Sequence, residues 1–111
     1  MSAAPSGIDV VGALRALGEP HRLALLQALR LQERCVRDLV AAVGLSQPLV
    51  SHHLGRLAAA GLVTSRYAHG FTHYALDAGG LAALDEAVGA LLDVRNLPAS
   101  AHPGGNDRCC R

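Results

Sequence analysis

The chain has 111 residues, half of them hydrophobic, with two tyrosines, one phenylalanine and no tryptophan, so its core is expected to be Leu, Val and Ala on close-packed helices in one small domain. The net charge is only +1. No apolar run reaches the roughly 20 residues of a membrane span, and the start Met1 to Gly7 lacks the basic-then-apolar order of a secretion signal, so a cytoplasmic protein without membrane partners is expected. Three cysteines, two of them adjacent, do not make a disulfide framework. There is no Gly-rich or acid-rich motif to hold a substrate. An enzyme using Cys35 as nucleophile with a histidine base is therefore excluded.

Residues 1–8 are small and turn-forming and read as a flexible N-terminus. A first helix is expected from Asp9, a candidate cap, to Leu17, with Val10, Val11, Leu14 and Leu17 on its apolar side and Gly18 as its stop. Glu19 and Pro20 open a second helix ending near Leu31, with Leu23, Leu26, Ala28 and Leu29 as core candidates. Gln32 to Arg34 reads as a polar connection, and Cys35 to Val43 as a brief helix ended by Gly44.

Ser46 caps the next helix, Gln47 and Pro48 suit its first turn, and Gly61 lies just past its end. Its residues Val50, Leu54, Leu57 and Ala58 fall on one stripe facing a core, leaving Gln47, Ser51, His52, Gly55 and Arg56 outside. Leu62 to Tyr67 and Phe71 to Leu76 then read as two strands joined by a tight turn, Ala68-His69-Gly70. Asp77 caps a last helix from Ala78 to Val94, on which Leu81, Leu84, Val88, Leu91 and Leu92 share a side. Pro98, Pro103, Gly104 and Gly105 mark a flexible tail over residues 96–111. The order α-α-α-α-β-β-α, mainly α with a small hairpin, is that of a winged helix-turn-helix over residues 9–95. The first and last helices are rich enough in aliphatic residues to pair two copies into a homodimer.

From Leu39 to Leu76 there is no Asp or Glu, while the same stretch holds Arg56, Arg66 and four of the six histidines. A DNA phosphate would meet no like charge there. Ser46, Gln47, Ser51, His52 and Arg56 of the helix, with Arg66 and His69 of the hairpin, are the candidate DNA contacts. A winged helix serving protein contact alone would show an apolar outer face, and this face is polar.

The segments Ala16 to Leu26, Val36 to Leu39, Leu45 to Leu54 and Leu57 to Val63 resemble the ArsR/SmtB family of bacterial winged-helix repressors, the third most specifically. The resemblance covers roughly Leu14 to Leu92. It implies a dimer joined through the first and last helices, palindromic operator DNA as partner, and release by a metal, metalloid or redox signal. In that family the pattern at Ser51, His53 and Leu54 recurs while the position of His52 varies, which makes His52 the base-reader and His53 a support of the helix.

The ligand chemistry stays open at this point. Cys35 stands where arsenic-sensing relatives carry the first cysteine of a Cys-x-Cys pair, but Cys35-Val36-Arg37 lacks the second. Asp85 and Asp93 lie where zinc-type relatives place ligands across the dimer, yet the last helix has no histidine, so that site is expected to be missing. Cys109 and Cys110, flanked by Arg108 and Arg111, suit a soft ion such as arsenite. The 13 or so residues from Asn96 could stretch about 43 Å, far enough for Cys35 to be the third ligand. His69, His73 and His102 are the alternative ligands for zinc or nickel. A redox-responsive regulator, or one without a metal effector, is the other reading.

Overall fold

Residues 8–98 are described by the computed structural model. Their elements run α1 (Val10–Leu17), α2 (Pro20–Leu29), β1 (Arg34–Cys35), α3 (Val36–Val43), α4 (Gln47–Ala59), β2 (Val63–Ala68), β3 (Phe71–Leu76) and α5 (Ala78–Leu91), then a 3-10 turn at Val94–Asn96. The three strands form one antiparallel sheet in the order β1-β3-β2. Among these residues no helix is long and apolar enough to cross a membrane.

The helix ends follow from local chemistry. Glu19, Ser46 and Asp77 each accept a backbone N–H of their own helix's first turn, at 2.9, 3.4 and 3.0 Å. Asp9 occupies the cap position of α1 but makes no side-chain cap bond. At the far end of α4, Gly61 takes φ +81°, the Leu62 N–H donates to the Leu57 carbonyl and the Gly61 N–H to that of Ala58. This paired arrangement satisfies the last carbonyls, and the buried side chains of Leu57 and Leu62 supply the apolar contact that accompanies it.

One core runs from Ala13 to Leu84, with Leu25, Leu39, Val50, Leu54, Leu57 and Leu62 its largest fully buried side chains. Expectations need correction at β1, α2, α4 and α5. The third strand, β1, lies where a polar connection and the start of a helix were expected. Two residues are too few to show alternation, and what makes them a strand is the distant pairing of Arg34 with Tyr74 and of Cys35 with His73. On α2, Leu23 is exposed and Leu25 takes the buried place, and the helix stops at Leu29. On α1 the buried residues are Ala13 and Ala16, whereas Val11 and Leu14 face outward.

The outward apolar residues of α1 are matched at the other end of the chain. Leu91, Leu92 and Val94 are all more than two-thirds exposed, and α5 ends three residues before the expected Val94. Ala58, placed on the core stripe of α4 by spacing, is exposed.

Between α4 and α5 the backbones touch. A Cβ added to Gly80 would run into the carbonyl oxygen of Gly61, and the Asp77 N–H donates to the Leu62 carbonyl at 2.9 Å beside it. Gly80→Ala should therefore destabilise the chain by about 1–3 kcal/mol, against the usual gain from Gly→Ala in a helix. Urea unfolding measures it, and an unchanged midpoint would refute the close packing.

Candidate nucleic-acid interface and metal-ligand cluster

Helix α4 divides into two faces. Val50, Leu54 and Leu57 have no accessible surface, while Gln47, Ser51, His52, Gly55 and Arg56 are exposed, with Ser46 exposed at the cap. The outer face also carries Leu49, half exposed, whose apolar side chain the polar reading did not include. Arg56 sits on the α1 side of the helix, at a cavity of about 620 Å³ that Asp9 and Asp77 also line.

The hairpin tip is a two-residue turn in which His69 and Gly70 both take positive φ, +55° and +84°, between the paired Ala68 and Phe71. That mirror-image turn matches the twist of the strands and leaves the His69 side chain exposed. The Arg37 guanidinium of α3 lies 5.4 Å from the centre of the Phe71 ring and holds the hairpin to the helical part. Arg66 is engaged as well. Its Nε and Nη2 donate to the two carboxylate oxygens of Glu33 at 2.7 and 2.6 Å. The stretch without acids is thus not acid-free in space, because β1 brings Glu33 against the wing. That pairing lowers the Glu33 carboxyl below the usual range, through the hydrogen bonds from Arg66 against the cost of desolvation, and raises the Arg66 guanidinium.

A cluster that the sequence did not single out joins α2 to α4. His21 Nδ1 lies 2.9 Å from Glu19 Oε2, and His53 Nδ1 lies 3.9 Å from Glu19 Oε1 and 3.2 Å from Arg22 Nη1. The His21 and His53 rings stack with centroids 5.7 Å apart. Arg22 also donates from Nε to the Ala16 carbonyl at 2.6 Å, so one guanidinium ties the end of α1 to α4. Since an arginine only donates, His53 accepts at Nδ1 and keeps its own proton on Nε2. Burial pushes the His53 imidazole below its usual value, and Arg22, His21 and His52 add to this against Glu19. The Glu19 carboxyl is lowered. Desolvation opposes this, but the hydrogen bonds from His21 and the Arg22 N–H, joined by the charges of His53 and His21 whenever those rings are protonated, outweigh it. His53 therefore supports the helix from inside, while His52 one residue earlier faces outward.

Among the described residues, the group of three side chains spaced for a metal ion is Glu19, His21 and His53. Cys35 is half-buried, precedes α3 in the cap position and belongs to no such group. His73 Nε2 lies 3.3 Å from the Ala68 carbonyl, and neither it nor His69 meets a third donor there. Asp85 is exposed on α5, and Asp93 lies beyond it, accepting the Arg95 N–H. Cys109, Cys110 and His102 lie outside the described residues.

Residues 19–65, which hold the cluster, α3 and all of α4, match the profile described as bacterial regulatory protein, arsR family. A crystal structure described as a possible transcriptional regulator for arsenical resistance is 38% identical, with a TM-score of 0.66 over 78% of this chain and 86% of that one. The chain belongs to the arsR family. Within the family, the transcriptional repressor SmtB of Mycobacterium tuberculosis is 43% identical over 64% of this chain, which spans 61% of that repressor's length. The homodimeric winged helix-turn-helix DNA-binding domain of a Mycobacterium bovis protein is 28% identical, with a TM-score of 0.63 over 78% of this chain and 80% of its own.

The lowered groups give a sign for pH dependence. His53 is held below the free histidine value of about 6.5, so its contribution is complete above that pH and fades as pH falls through its folded value. Glu19 and Glu33, also lowered, lose theirs further down, as pH falls through the carboxylate range. Stability should therefore fall in two stages on acidification. Thermal melts from pH 7.5 to 3.5 follow it, and in His53→Gln the upper stage should disappear.

Proposed function

We propose that this arsR-family chain is a cytoplasmic, homodimeric transcriptional repressor that binds palindromic operator DNA and is released by a metal or metalloid. The observation that carries the reading is the two-faced α4, whose wholly buried inner stripe leaves Gln47, Ser51, His52 and Arg56 outward beside a hairpin tipped by His69. SmtB as a repressor and the arsenical-resistance regulator among the relatives support the role and the class of effector. The exposed Val11 and Leu14 of α1 and Leu91 and Leu92 of α5 supply an apolar surface for a second copy, and the M. bovis domain, a homodimer, supports that arrangement. Two recognition helices would then meet half-sites about 34 Å apart. Cys109 and Cys110, with Cys35 as third donor, are the proposed ligands for a soft ion.

In this reading His52 reads a base edge and Arg56 a phosphate. His52→Ala should cut the preference for operator over random duplex by about 1–3 kcal/mol, whereas Arg56→Ala should weaken both alike and flatten the salt dependence. Gel retardation over a salt series separates them. Equal losses on both DNAs would make His52 a positioning residue, and no salt-dependent retention of either DNA would overturn the repressor reading.

Glu33 and Arg66 yield a second, independent expectation. In the free chain the guanidinium is neutralised by Glu33, so Glu33→Gln should release it to a phosphate. The slope of log affinity against log salt should steepen by about 0.9, the release of one counterion. An unchanged slope would place Arg66 away from the backbone of the DNA.

A further inference from the structure

We propose that Glu19, His21 and His53 form a binding site for a borderline divalent cation of the zinc class, tying the start of α2 to the recognition helix. Its donor set contains none of the three thiols. Two imidazoles and a carboxylate are a donor set that zinc accepts, with water left to complete the shell. One ligand atom from each of the three residues lies within 4.8 Å of the others, and the tightest pair, His21 Nδ1 and Glu19 Oε2, is at 2.9 Å. A tetrahedral ion with bonds of about 2.0–2.1 Å holds its donors about 3.3 Å apart. Closing the remaining gaps draws the ligand atoms, and with them the start of α2 and α4, closer together, and His21, nearly half exposed, opens the site to solvent.

The donor atoms are placed for the ion. His53 already presents a lone pair at Nδ1, the atom that Arg22 now donates to. His21 offers Nδ1 when its proton is carried on Nε2. Glu19 divides its two oxygens between tasks. Oε1 caps α2 by accepting the Arg22 N–H, while Oε2 faces His21, so the cap survives coordination. Two contacts must be given up, the one from Arg22 Nη1 to His53 and the hydrogen bond between His21 Nδ1 and Glu19 Oε2, while Arg22 keeps its bond to the Ala16 carbonyl through Nε.

An ion here would pull His53 off Arg22 and toward α2. His53 is on α4, and its ring lies 5.8 Å from that of His52 on the outer face. The proposed repressor function makes the metal-free chain the DNA-binding form, and on that reading a contraction that re-aims α4 lowers DNA affinity. The two ligands are linked reciprocally, so bound DNA weakens zinc to the same degree.

The test uses the full chain with Cys35, Cys109 and Cys110 changed to Ser, titrated with zinc chloride against a chromophoric chelator. The thiol-free chain should bind one zinc per subunit, and adding His21→Ala should weaken it at least about tenfold. His21 is exposed and outside the core, a thermal melt checks that the variant folds, and zinc should raise the melting temperature only when His21 is present. No zinc bound by the thiol-free chain, or equal binding after His21→Ala, overturns the site. Fluorescence polarisation on a duplex then reads the coupling, expected as at least a tenfold loss of DNA affinity at saturating zinc. Tight zinc binding with unchanged DNA affinity overturns the coupling alone. Failure of the metal-free chain to hold any DNA counts against the repressor reading, while the zinc titration still decides the site.

Discussion

The inner stripe of α4 is the constraint on which the remainder of the molecule depends. Val50, Leu54 and Leu57 are sealed against α1, α2, α3 and β2, each worth about 1.5–3 kcal/mol of burial. Rolling the helix by even one residue would expose one of them, so its rotation about its own axis is set by the core. What faces outward is then the remainder of the helix, and no separate interaction is needed to present His52, Ser51 or Gln47. Presentation of a reading surface is here a by-product of packing.

Second to this is the junction around Arg22. A single guanidinium closes the end of α1, touches the inner histidine of α4 and stands beside the carboxylate that starts α2. Three helices meet at one small group of hydrogen-bonded polar side chains next to an otherwise apolar core. Such a group is sensitive to any change of charge, because each member is both a partner and a competitor for the others. The wing is held differently, by Arg37 on Phe71 and by Glu33 on Arg66, both nearer to water.

What could be read from the sequence was whatever is decided locally. The start of α2 at Glu19 and Pro20, the caps at Ser46 and Asp77, the stop at Gly61, the turn at His69 and Gly70, and the placing of Val50, Leu54 and Leu57 on the inner side of α4 each depend on residues a few positions apart. The failures share the opposite property. β1 exists only because Arg34 finds Tyr74, the Glu33–Arg66 pair spans the same gap, and Glu19 and His21 meet His53 from more than thirty positions away. Leu23 misled for another reason, since Leu23, Leu25 and Leu26 spread around α2 and spacing alone does not say which side the neighbouring helices cover. Of the candidate DNA contacts, the α4 set and His69 are exposed together, while Arg66 arrives already paired.

The contact of Gly61 with Gly80 has a mechanical meaning. With the Asp77 N–H bonded to the Leu62 carbonyl and no side chain between the backbones, the end of α4 and the start of α5 have no soft layer on which to slide. A shift at the start of α5 would therefore press directly on the end of α4, the helix that carries His52.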